Sequence, residues 1–475
     1  MGRPSVYPTG VTIYEPEKAW SGYTLLPAEG IGALLIDMNG NVIKCWKDFM
    51  GFPNKLLPGG YLMGSLGRRN SAYGYQDMSD VTEIDWNGSV VWSFNQKELC
   101  KDGEQEYFLA RQHHDYQREG NPVGYYVPGM ECKIDGGNTL ILCHEDVYNK
   151  RISDKRLLDD CFIEVDWEGN IVWEWHLNKH FNELDFSEQE KAILFRNPNY
   201  HVNGGGQSDW MHINSMSVLG PNQWYDAGDE RFHPDNIIWD AREANIIAIT
   251  SKKTGDIVWK IGPDFTKTRE LRAIRQIIGQ HHAHMIPKGL SGAGNILVFD
   301  NGGWAGYGYP SRTSKDGTKA DIRDHSRVLE INPVTLELVW EFTSENWYAM
   351  SGLVAKSYFY SPLISSAQRL PNGNTMITEG CSCRIFEVTP EKEVVWEFIS
   401  PFNMSKPLIY RAYRYPYEYV PQVEKPLEVA VKKPDIQKFR MPGAADSAIT
   451  HMTNVNGTWG FEGKMDSCVT DDSIK

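Results

Sequence analysis

Apolar and polar positions repeat one arrangement six times along the chain. In each copy, two short apolar runs flank a polar turn and the second run ends in tryptophan, which is the pattern of a β-hairpin. The copies are ALLIDMNGNVIKCW (33–46), VTEIDWNGSVVW (81–92), FIEVDWEGNIVW (162–173), IIAITSKKTGDIVW (246–259), VLEINPVTLELVW (328–340) and IFEVTPEKEVVW (385–396). Their closing residues are Trp46, Trp92, Trp173, Trp259, Trp340 and Trp396. A recurring hairpin with insertions of varying length indicates a repeat architecture. We therefore predict an all-β fold, a six-bladed β-propeller with helical and loop insertions.

A second kind of segment predicts the other strands of each blade. It combines Gly, Asn or Pro turn residues with an apolar run. It occurs as NKLLPGGYLMGSLG (54–67), GGNTLILCHED (136–146), AGNILVFDNGG (293–303) and SAQRLPNGNTMITEG (366–380). We expect these segments to form the first two strands of their blades, and the tryptophan hairpins to form the outer two.

The two ends of the chain are expected to complete the ring. The first blade has only residues 22–46 before the next blade begins, so it needs a strand from elsewhere. We expect that strand to come from the C-terminal region, with 447–461 as the candidate. The chain is thus predicted to be a single propeller domain, 1–475, in which residues 401–475 form a cap and close the ring.

Two insertions have helical patterns. SEQEKAILFR (187–196) opens with Ser-x-x-Glu, the signature of a capping box. FTKTRELRAIRQII (265–278) has aliphatic residues on one face and is followed by Gly279, a residue suited to a helix end. We predict a helix in each segment, the second leading directly into the histidine-rich stretch 280–284.

Charge and composition narrow the class of protein. The chain has 48 basic and 62 acidic residues and a formal net charge of −14, which argues against a nucleic-acid partner. No run approaches the ~20 apolar residues of a membrane span, and the first ten residues lack the apolar core of a signal peptide. We expect a cytoplasmic protein without membrane association, or a periplasmic one if a leader has been removed. The sequence is compatible with a homo-oligomer.

Histidines gather where the inner strands are predicted to begin. Inner strands surround the axis of a propeller, so side chains from several blades can meet there. His281 lies six residues before Pro287, and Ser365 lies six residues before Pro371. These equal offsets place both residues at the same height along the propeller axis. The candidates from QHHDY, DWMHINS, WDARE and QHHAH are His113, His114, His212, Asn214, Arg242, His281, His282 and His284. The other histidines, His144 among them, lack this register and receive no role.

Several of these segments together resemble one known family. The segments are DWMHINS, QHHAHMIPKG followed by GNILVFDNG, RLPNGNTMITEG followed by RIFEVTPEKEVVWEF, and TIYEPEKAWSGYTLL near the start. In this order, from about residue 10 to 400, they resemble the bacterial arylsulfate sulfotransferases that use no nucleotide. The resemblance implies a six-bladed propeller that moves a sulfuryl group from an aryl sulfate to a phenol through a sulfated histidine.

The resemblance also assigns roles to the candidate residues. His281 matches the nucleophile, and His212, His114 and Arg242 match the other catalytic positions. The remaining matches and neighbours are expected to bind substrate, and they are Asn214, His113, His282 and His284. His282 and His284 are additional histidines, beyond those expected in the family's nucleophile segment.

Physical chemistry is consistent with this interpretation. A transferring sulfuryl group spreads charge over three oxygens, as a phosphoryl group does, and so requires hydrogen-bond donors and cations. Neutral imidazole is a suitable nucleophile at its usual pKa of ~6.5, and a phenol of pKa ~10 is a suitable leaving group. The sequence contains no phosphate loop, GxSxG, HExxH or GxGxxG motif, and we expect no cofactor and no metal.

Two other functions fit the same residues. Imidazoles that converge from His114, His212 and His281 could instead bind a metal in a hydrolase, lyase or oxygenase. Alternatively, the propeller could bind a partner without catalysis. Metal analysis of the purified protein distinguishes a metal-dependent enzyme from a sulfotransferase. Turnover measured after replacement of the histidines distinguishes an enzyme from a non-catalytic binding protein.

Overall fold

Antiparallel sheets of four strands dominate the computed structural model. It describes residues 9–67, 76–102, 104–200, 207–343, 359–402 and 408–433, all of which belong to one compact unit, 1–433. The strands in this part of the chain are β1 (Gly10–Tyr14), β2 (Tyr23–Ala28), β3 (Gly32–Ile36), β4 (Val42–Lys47), β5 (Met50–Leu57), β6 (Tyr61–Ser65), β7 (Val81–Ile84), β8 (Val90–Phe94), β9 (Glu98–Asp102), β10 (Gln105–Leu109), β11 (Gln112–Arg118), β12 (Thr139–Val147), β13 (Leu157–Val165), β14 (Ile171–His176), β15 (Ile213–Val218), β16 (Ile237–Ala241), β17 (Ile246–Thr250), β18 (Ile257–Ile261), β19 (His281–Met285), β20 (Ile296–Asp300), β21 (Ala305–Tyr307), β22 (Thr318–Asp321), β23 (Arg327–Ile331), β24 (Leu338–Thr343), β25 (Ser366–Arg369), β26 (Thr375–Glu379), β27 (Arg384–Val388), β28 (Val394–Ile399) and β29 (Tyr413–Tyr415).

These strands form six blades, which confirms the predicted propeller. From the innermost strand outward, the blades are β29-β2-β3-β4, β5-β6-β7-β8, β11-β12-β13-β14, β15-β16-β17-β18, β19-β20-β23-β24 and β25-β26-β27-β28. β1 adds a fifth strand to the sixth blade, and β9-β10 and β21-β22 are separate hairpins.

Burial explains why the middle strands read as continuous apolar runs. Strands such as β3, β16 and β20 are buried at every position, because neighbouring blades cover both faces of the sheet. The outermost strands are less buried, and β8 is exposed at three of its five positions. The segments 54–67 and 366–380 contain two strands each, as predicted. The segments 136–146 and 293–303 contain only the second strand of their blades, because β11 and β19 come earlier in the chain.

Both ends of the described chain close the ring. β1 pairs antiparallel with β28, with Tyr14 opposite Trp396. β29 pairs antiparallel with β2, with Tyr413 opposite Leu25. The strand that completes the first blade is therefore Tyr413–Tyr415, inside the segment 401–475, whereas the candidate 447–461 lies outside the described residues.

The six repeat tryptophans form a continuous belt of hydrogen bonds, here called the tryptophan girdle. Each indole N–H donates to a backbone carbonyl in the turn between the third and fourth strands of the next blade. The bonds are Trp46–Trp86 (3.3 Å), Trp92–Trp167 (3.0 Å), Trp173–Lys252 (3.1 Å), Trp259–Pro333 (2.8 Å), Trp340–Pro390 (2.9 Å) and Trp396–Met38 (2.8 Å). The last bond returns to the first blade. The repeated residue thus ties each blade to its neighbour, which is the physical reason for the sequence pattern.

The helices are short and lie outside the blades. α1 (Glu188–Arg196) has the predicted capping box on Ser187. α2 (Gln223–Asp226) is a single turn. α3 (Arg269–Ile274) is shorter than the predicted 265–278, because Arg275 adopts a positive φ of 68° and ends it. No helix among the described residues is long and apolar enough to cross a membrane.

Candidate active site

The inner strands β11, β15 and β19 are irregular where they begin. Pairing with the second strand shifts between Gln112 and Tyr116, between Ile213 and Ser215, and between His281 and His284. His114 (54°) and His282 (57°) have positive φ within these bulges, and His212 (53°) has positive φ just before β15. A bulge with a left-handed residue redirects side chains that would otherwise alternate, and such strain is concentrated at functional sites.

His281 is held at both ring nitrogens. Nδ1 lies 2.7 Å from Asn301 Oδ1 and 3.1 Å from Gly279 O. Both partners are acceptors, so we assign the ring hydrogen to Nδ1 and the lone pair to Nε2. Nε2 accepts the backbone N–H of Ile364 at 3.2 Å. Burial, followed by the positive charge of Arg242, lowers the pKa of His281 well below 6.5, so the ring is neutral at neutral pH.

His212 is paired with a buried carboxylate. Its Nδ1 donates to Oδ2 of Asp209, three residues earlier, and Asp209 is fully buried. Burial alone would raise the pKa of Asp209, but the charge and hydrogen bond of His212 outweigh it and keep that pKa below its usual value. An ionised carboxylate fixes the imidazole tautomer and stabilises the protonated ring, as a general acid–base requires.

His114 lies beside His212, with 4.5 Å between the ring centroids. Its Nδ1 is 2.8 Å from Nδ1 of His113, so one of these nitrogens donates to the other. Burial and the neighbouring charge of His212 lower the pKa of His114 well below 6.5. His113 itself stacks on His144 at 3.5 Å, behind His114.

Arg242 supplies positive charge at the end of β16. Its backbone N–H donates to His212 O at 3.1 Å, which joins it to the start of β15. Its Nη1 donates to Glu243, so that carboxylate orients the guanidinium and offsets part of its charge. After burial, the charge of Arg242 is the next cause that lowers the pKa of His281.

The side-chain amide of Asn214 is hydrogen-bonded to the protein backbone. Its Nδ2 donates to Gln280 O at 2.8 Å, which fixes the backbone just before His281. Gln280 in turn donates from Nε2 to Ala241 O and Ile246 O at 3.0 and 2.8 Å. The start of β19 is therefore tied firmly to the fourth blade.

His282 and His284 belong to a separate buried cluster. His282 Nε2 is 3.1 Å from Tyr413 Oη, and His284 Nε2 is 2.8 Å from Tyr125 Oη. Burial lowers the pKa of His282 well below 6.5 and that of His284 to about 4. Their hydrogen bonds to the Tyr413 and Tyr125 hydroxyls set them apart from the group formed by His281, His212, His114 and Arg242.

An apolar cavity of about 490 Å³ borders the site. Among its lining residues are Met50, Phe52, Leu363 and Tyr410. Phe52 stands 4.4 Å from the ring of His114, between centroids. Ile364, whose N–H reaches His281, also lines the cavity. The volume is in the range of small-ligand sites.

Sequence reasoning missed several residues of this site. They are Asp209, Glu243, Asn301, Ile364, Tyr410 and Arg411. Arg411 lies just before β29, and its Nη1 donates to Asp115 at 2.7 Å. The Asp-x-x-His spacing of Asp209 and His212 was a usable signal. The contacts of Asn301 and Ile364 with His281 arise only from packing between segments far apart in sequence.

The site histidines are not spaced to share a metal ion. Among the residues that the structure describes, two groups have ligand atoms close enough for one ion: His113 with His144 and Asp160, and Glu145 with Cys161 and His176. The set His114, His212 and His281 is not one of them.

A sequence family agrees with the fold. The family model for arylsulfotransferase (ASST) matches residues 130–411, which is more than half of the chain. The chain therefore belongs to the arylsulfotransferase family, whose members act on aryl sulfates and phenols. This membership supports a transferase of arylsulfotransferase-like function. No curated protein matches the sequence.

Several solved structures match this chain at low sequence identity. A protein of unknown function from Bacteroides caccae is 9% identical, covering 83% of this chain and 98% of its own, with a TM-score of 0.42. A virginiamycin B lyase variant from Staphylococcus aureus is 8% identical, covering 83% and 89%, with a TM-score of 0.34. Dihydro-heme d1 dehydrogenase NirN is 10% identical, covering 86% and 80%, with a TM-score of 0.36.

Proposed function

We propose that the protein transfers a sulfuryl group from an aryl sulfate to a phenol through a sulfohistidine at His281. The observation that carries the proposal is the hydrogen bonding of that ring. Two acceptors on Nδ1, Asn301 Oδ1 and Gly279 O, leave the lone pair on Nε2. The depressed pKa keeps the lone pair available at neutral pH.

In the first half-reaction, Nε2 of His281 attacks the sulfur of the aryl sulfate. The N–S bond forms as the bond between sulfur and the aryl oxygen breaks. His212, protonated and paired with Asp209, gives its proton to the leaving phenolate. A phenol of pKa ~10 needs only modest help to leave.

In the second half-reaction, an acceptor phenol gives its proton to His212 and attacks the same sulfur. The N–S bond breaks, and His281 returns to its neutral state with Nδ1 still protonated. The covalent intermediate separates the two steps, so the kinetics are ping-pong.

Cations and backbone donors stabilise the transferring group. Arg242 and His114 provide hydrogen bonds to the sulfuryl oxygens, where charge accumulates. The backbone N–H of Ile364 donates to His281 Nε2 at 3.2 Å in the free enzyme. When sulfur bonds to Nε2, this N–H loses that acceptor and donates instead to a neighbouring sulfuryl oxygen. Each such donor matters because the site is buried and its effective dielectric is low.

The apolar cavity receives the aryl end of the substrate. Phe52 and Tyr410 present rings at its wall, with 4.0 Å between their centroids. Aromatic rings pack favourably against such surfaces. The site thus prefers an aryl sulfate to an alkyl sulfate, through both binding and leaving-group ability.

The test is incubation with 4-nitrophenyl sulfate, with and without phenol. Without acceptor, intact-mass analysis should find one sulfuryl adduct, and peptide mapping should place it within residues 280–288. Phenol should discharge the adduct. His281→Asn should abolish both adduct and turnover, whereas His233→Asn, at a partly exposed position after β15, should leave them unchanged. Turnover by His281→Asn at near the wild-type rate would falsify the mechanism and favour the non-catalytic alternative or another nucleophile.

A further inference from the structure

A group of buried side chains lies behind His114 and His212, and among them only Asp209 has a role in the proposed sulfuryl transfer, through its hydrogen bond to His212. His113, His144 and Asp160 come from β11, β12 and β13 of the third blade, and Asp209 precedes β15. All four are 0% exposed. The ligand atoms of His113, His144 and Asp160 lie within 4.8 Å of one another.

Three atoms of this group are buried without a hydrogen-bond partner: His113 Nε2, His144 Nε2 and Asp209 Oδ1. Leaving such an atom unsatisfied costs ~1–3 kcal/mol. These atoms lie near one another and near Asp160. His113 Nε2 is 3.3 Å from Asp160 Oδ1, and His144 Nε2 is 3.9 Å from Asp209 Oδ1. A single cation held by His113, His144 and Asp160 would satisfy the two imidazole nitrogens, and a small shift of Asp209 Oδ1, 3.9 Å from His144 Nε2, would bring it to the same ion.

We propose that His113, His144, Asp160 and Asp209 bind one divalent transition-metal ion, with zinc preferred. Two imidazole nitrogens and two carboxylate oxygens are a set of four donors that suits zinc, which prefers tetrahedral coordination, better than calcium or magnesium, which prefer oxygen ligands alone. Zinc–ligand bonds of ~2.0–2.1 Å place neighbouring tetrahedral donors ~3.3 Å apart. The His113–Asp160 separation already has this value.

The surrounding residues support the same assignment. His144 Nδ1 is 2.6 Å from Asp77 Oδ1, and Arg111 donates to the other oxygen of Asp77 at 2.9 Å. Metal-binding histidines typically donate their remote N–H to a carboxylate in this way. A divalent ion also offsets the buried carboxylates of Asp160 and Asp209.

Metal binding requires a small rearrangement. The rings of His113 and His144 are stacked, with planes 11° apart. A metal lies near the plane of each imidazole that binds it, so we expect the two rings to rotate out of parallel on loading.

The ion would position two residues of the active site. With Nε2 of His113 on the metal, its Nδ1 carries the hydrogen and donates to Nδ1 of His114, 2.8 Å away. His114 would then present Nε2–H to the substrate. Asp209 would bind the ion through Oδ1 and hold His212 through Oδ2. The metal would therefore position His114 and His212 and would not react itself. The metal site is independent of whether sulfuryl transfer is the reaction.

The test uses the full chain without an affinity tag. After treatment with a chelator and dialysis, Zn²⁺ alone is added and the excess is removed by gel filtration. Elemental analysis should find one equivalent retained. His144→Gln and Asp160→Asn should each weaken binding by more than the ~10–100-fold that loss of an outer hydrogen-bond partner causes. His176→Ala is the matched control, since it removes a histidine of the same blade from the Glu145–Cys161–His176 group.

Cobalt gives a readout that does not depend on the variants folding. Co²⁺ in the wild-type protein should show the visible bands of a tetrahedral site without a thiolate charge-transfer band. A thiolate band, or loss of metal only in His176→Ala, would place the ion at Cys161 and overturn the proposal. Retention of no Zn²⁺ by the folded wild-type protein would overturn it as well.

Discussion

Replacing Asn301 should damage catalysis through the nucleophile that it orients. Asn301 Oδ1 accepts the Nδ1–H of His281 at 2.7 Å, and its Nδ2 donates to Ser361 O and Ile364 O, each at 2.7 Å. Asn301→Ala removes the acceptor that fixes the His281 tautomer. It also releases the segment that carries the Ile364 N–H.

The magnitude follows from the charge on His281 during the reaction. As Nε2 bonds to sulfur, the ring becomes cationic, so the bond to Asn301 changes from a neutral to a charged hydrogen bond. Such bonds contribute ~1.5–3 kcal/mol. Since 1.36 kcal/mol is a factor of ten in rate, Asn301→Ala should lower kcat/KM about 10- to 150-fold.

Steady-state kinetics with an aryl sulfate across pH tests this reasoning. Asn301→Asp keeps an acceptor but places a carboxylate beside Nδ1, which raises the pKa of His281. The acid limb of its kcat/KM profile should therefore move to higher pH, whereas a purely structural defect would lower the profile without moving the limb. Asn295→Ala, at the other end of β20, is the matched control, since that amide donates to Glu330. A folded Asn301→Ala enzyme within threefold of wild type would refute the orienting role.

Three further predictions concern charge, blade contacts and pH. Arg242→Ala should lower kcat/KM ~10²–10³-fold, and a loss below threefold would remove Arg242 from the site. Trp396→Phe should cost ~1–3 kcal/mol of unfolding free energy because it leaves the buried Met38 carbonyl unpaired. Trp340→Phe, at an exposed bond, should cost less, and equal denaturation midpoints for the two variants would contradict this. Burial lowers the pKa of the three histidines of β19, so below pH 6.5 the unfolded chain binds more protons and stability falls towards pH 4 by up to ~1.4 kcal/mol per histidine per pH unit. Denaturation midpoints that stay level from pH 7 to 5 would contradict this.

The blades were predictable because their signal is local. Each tryptophan hairpin carries its own turn and its own apolar alternation. Each indole also donates to a carbonyl in the equivalent turn of the next blade, so the tryptophan recurs in every copy. The helix at 265–278 was overestimated for an equally local reason. Arginine has no preference for the positive φ that Arg275 adopts at the end of α3.

The site was predictable only in part. His281, His212 and His114 begin inner strands, so register placed them near the axis. Tyr410 and Arg411 were read as part of a cap because β29 has only three residues and no repeat pattern. His144 received no role because it lies on a second strand, and its relation to Asp160 exists only once β12 and β13 have paired.

The closure of the first blade by β29 has a consequence for synthesis of the protein. Tyr413 pairs with Leu25, so the innermost position of the first blade stays open until nearly the whole propeller has left the ribosome. At ~5–20 residues per second, that interval is about 20–80 s. Throughout it, β2 presents an unpaired edge that other nascent chains can join. Arg411 arrives with the same segment, so Asp115 meets this cation only when the ring closes. An enzyme truncated before Arg411 would lack the strand that closes the first blade and the cation that pairs with Asp115.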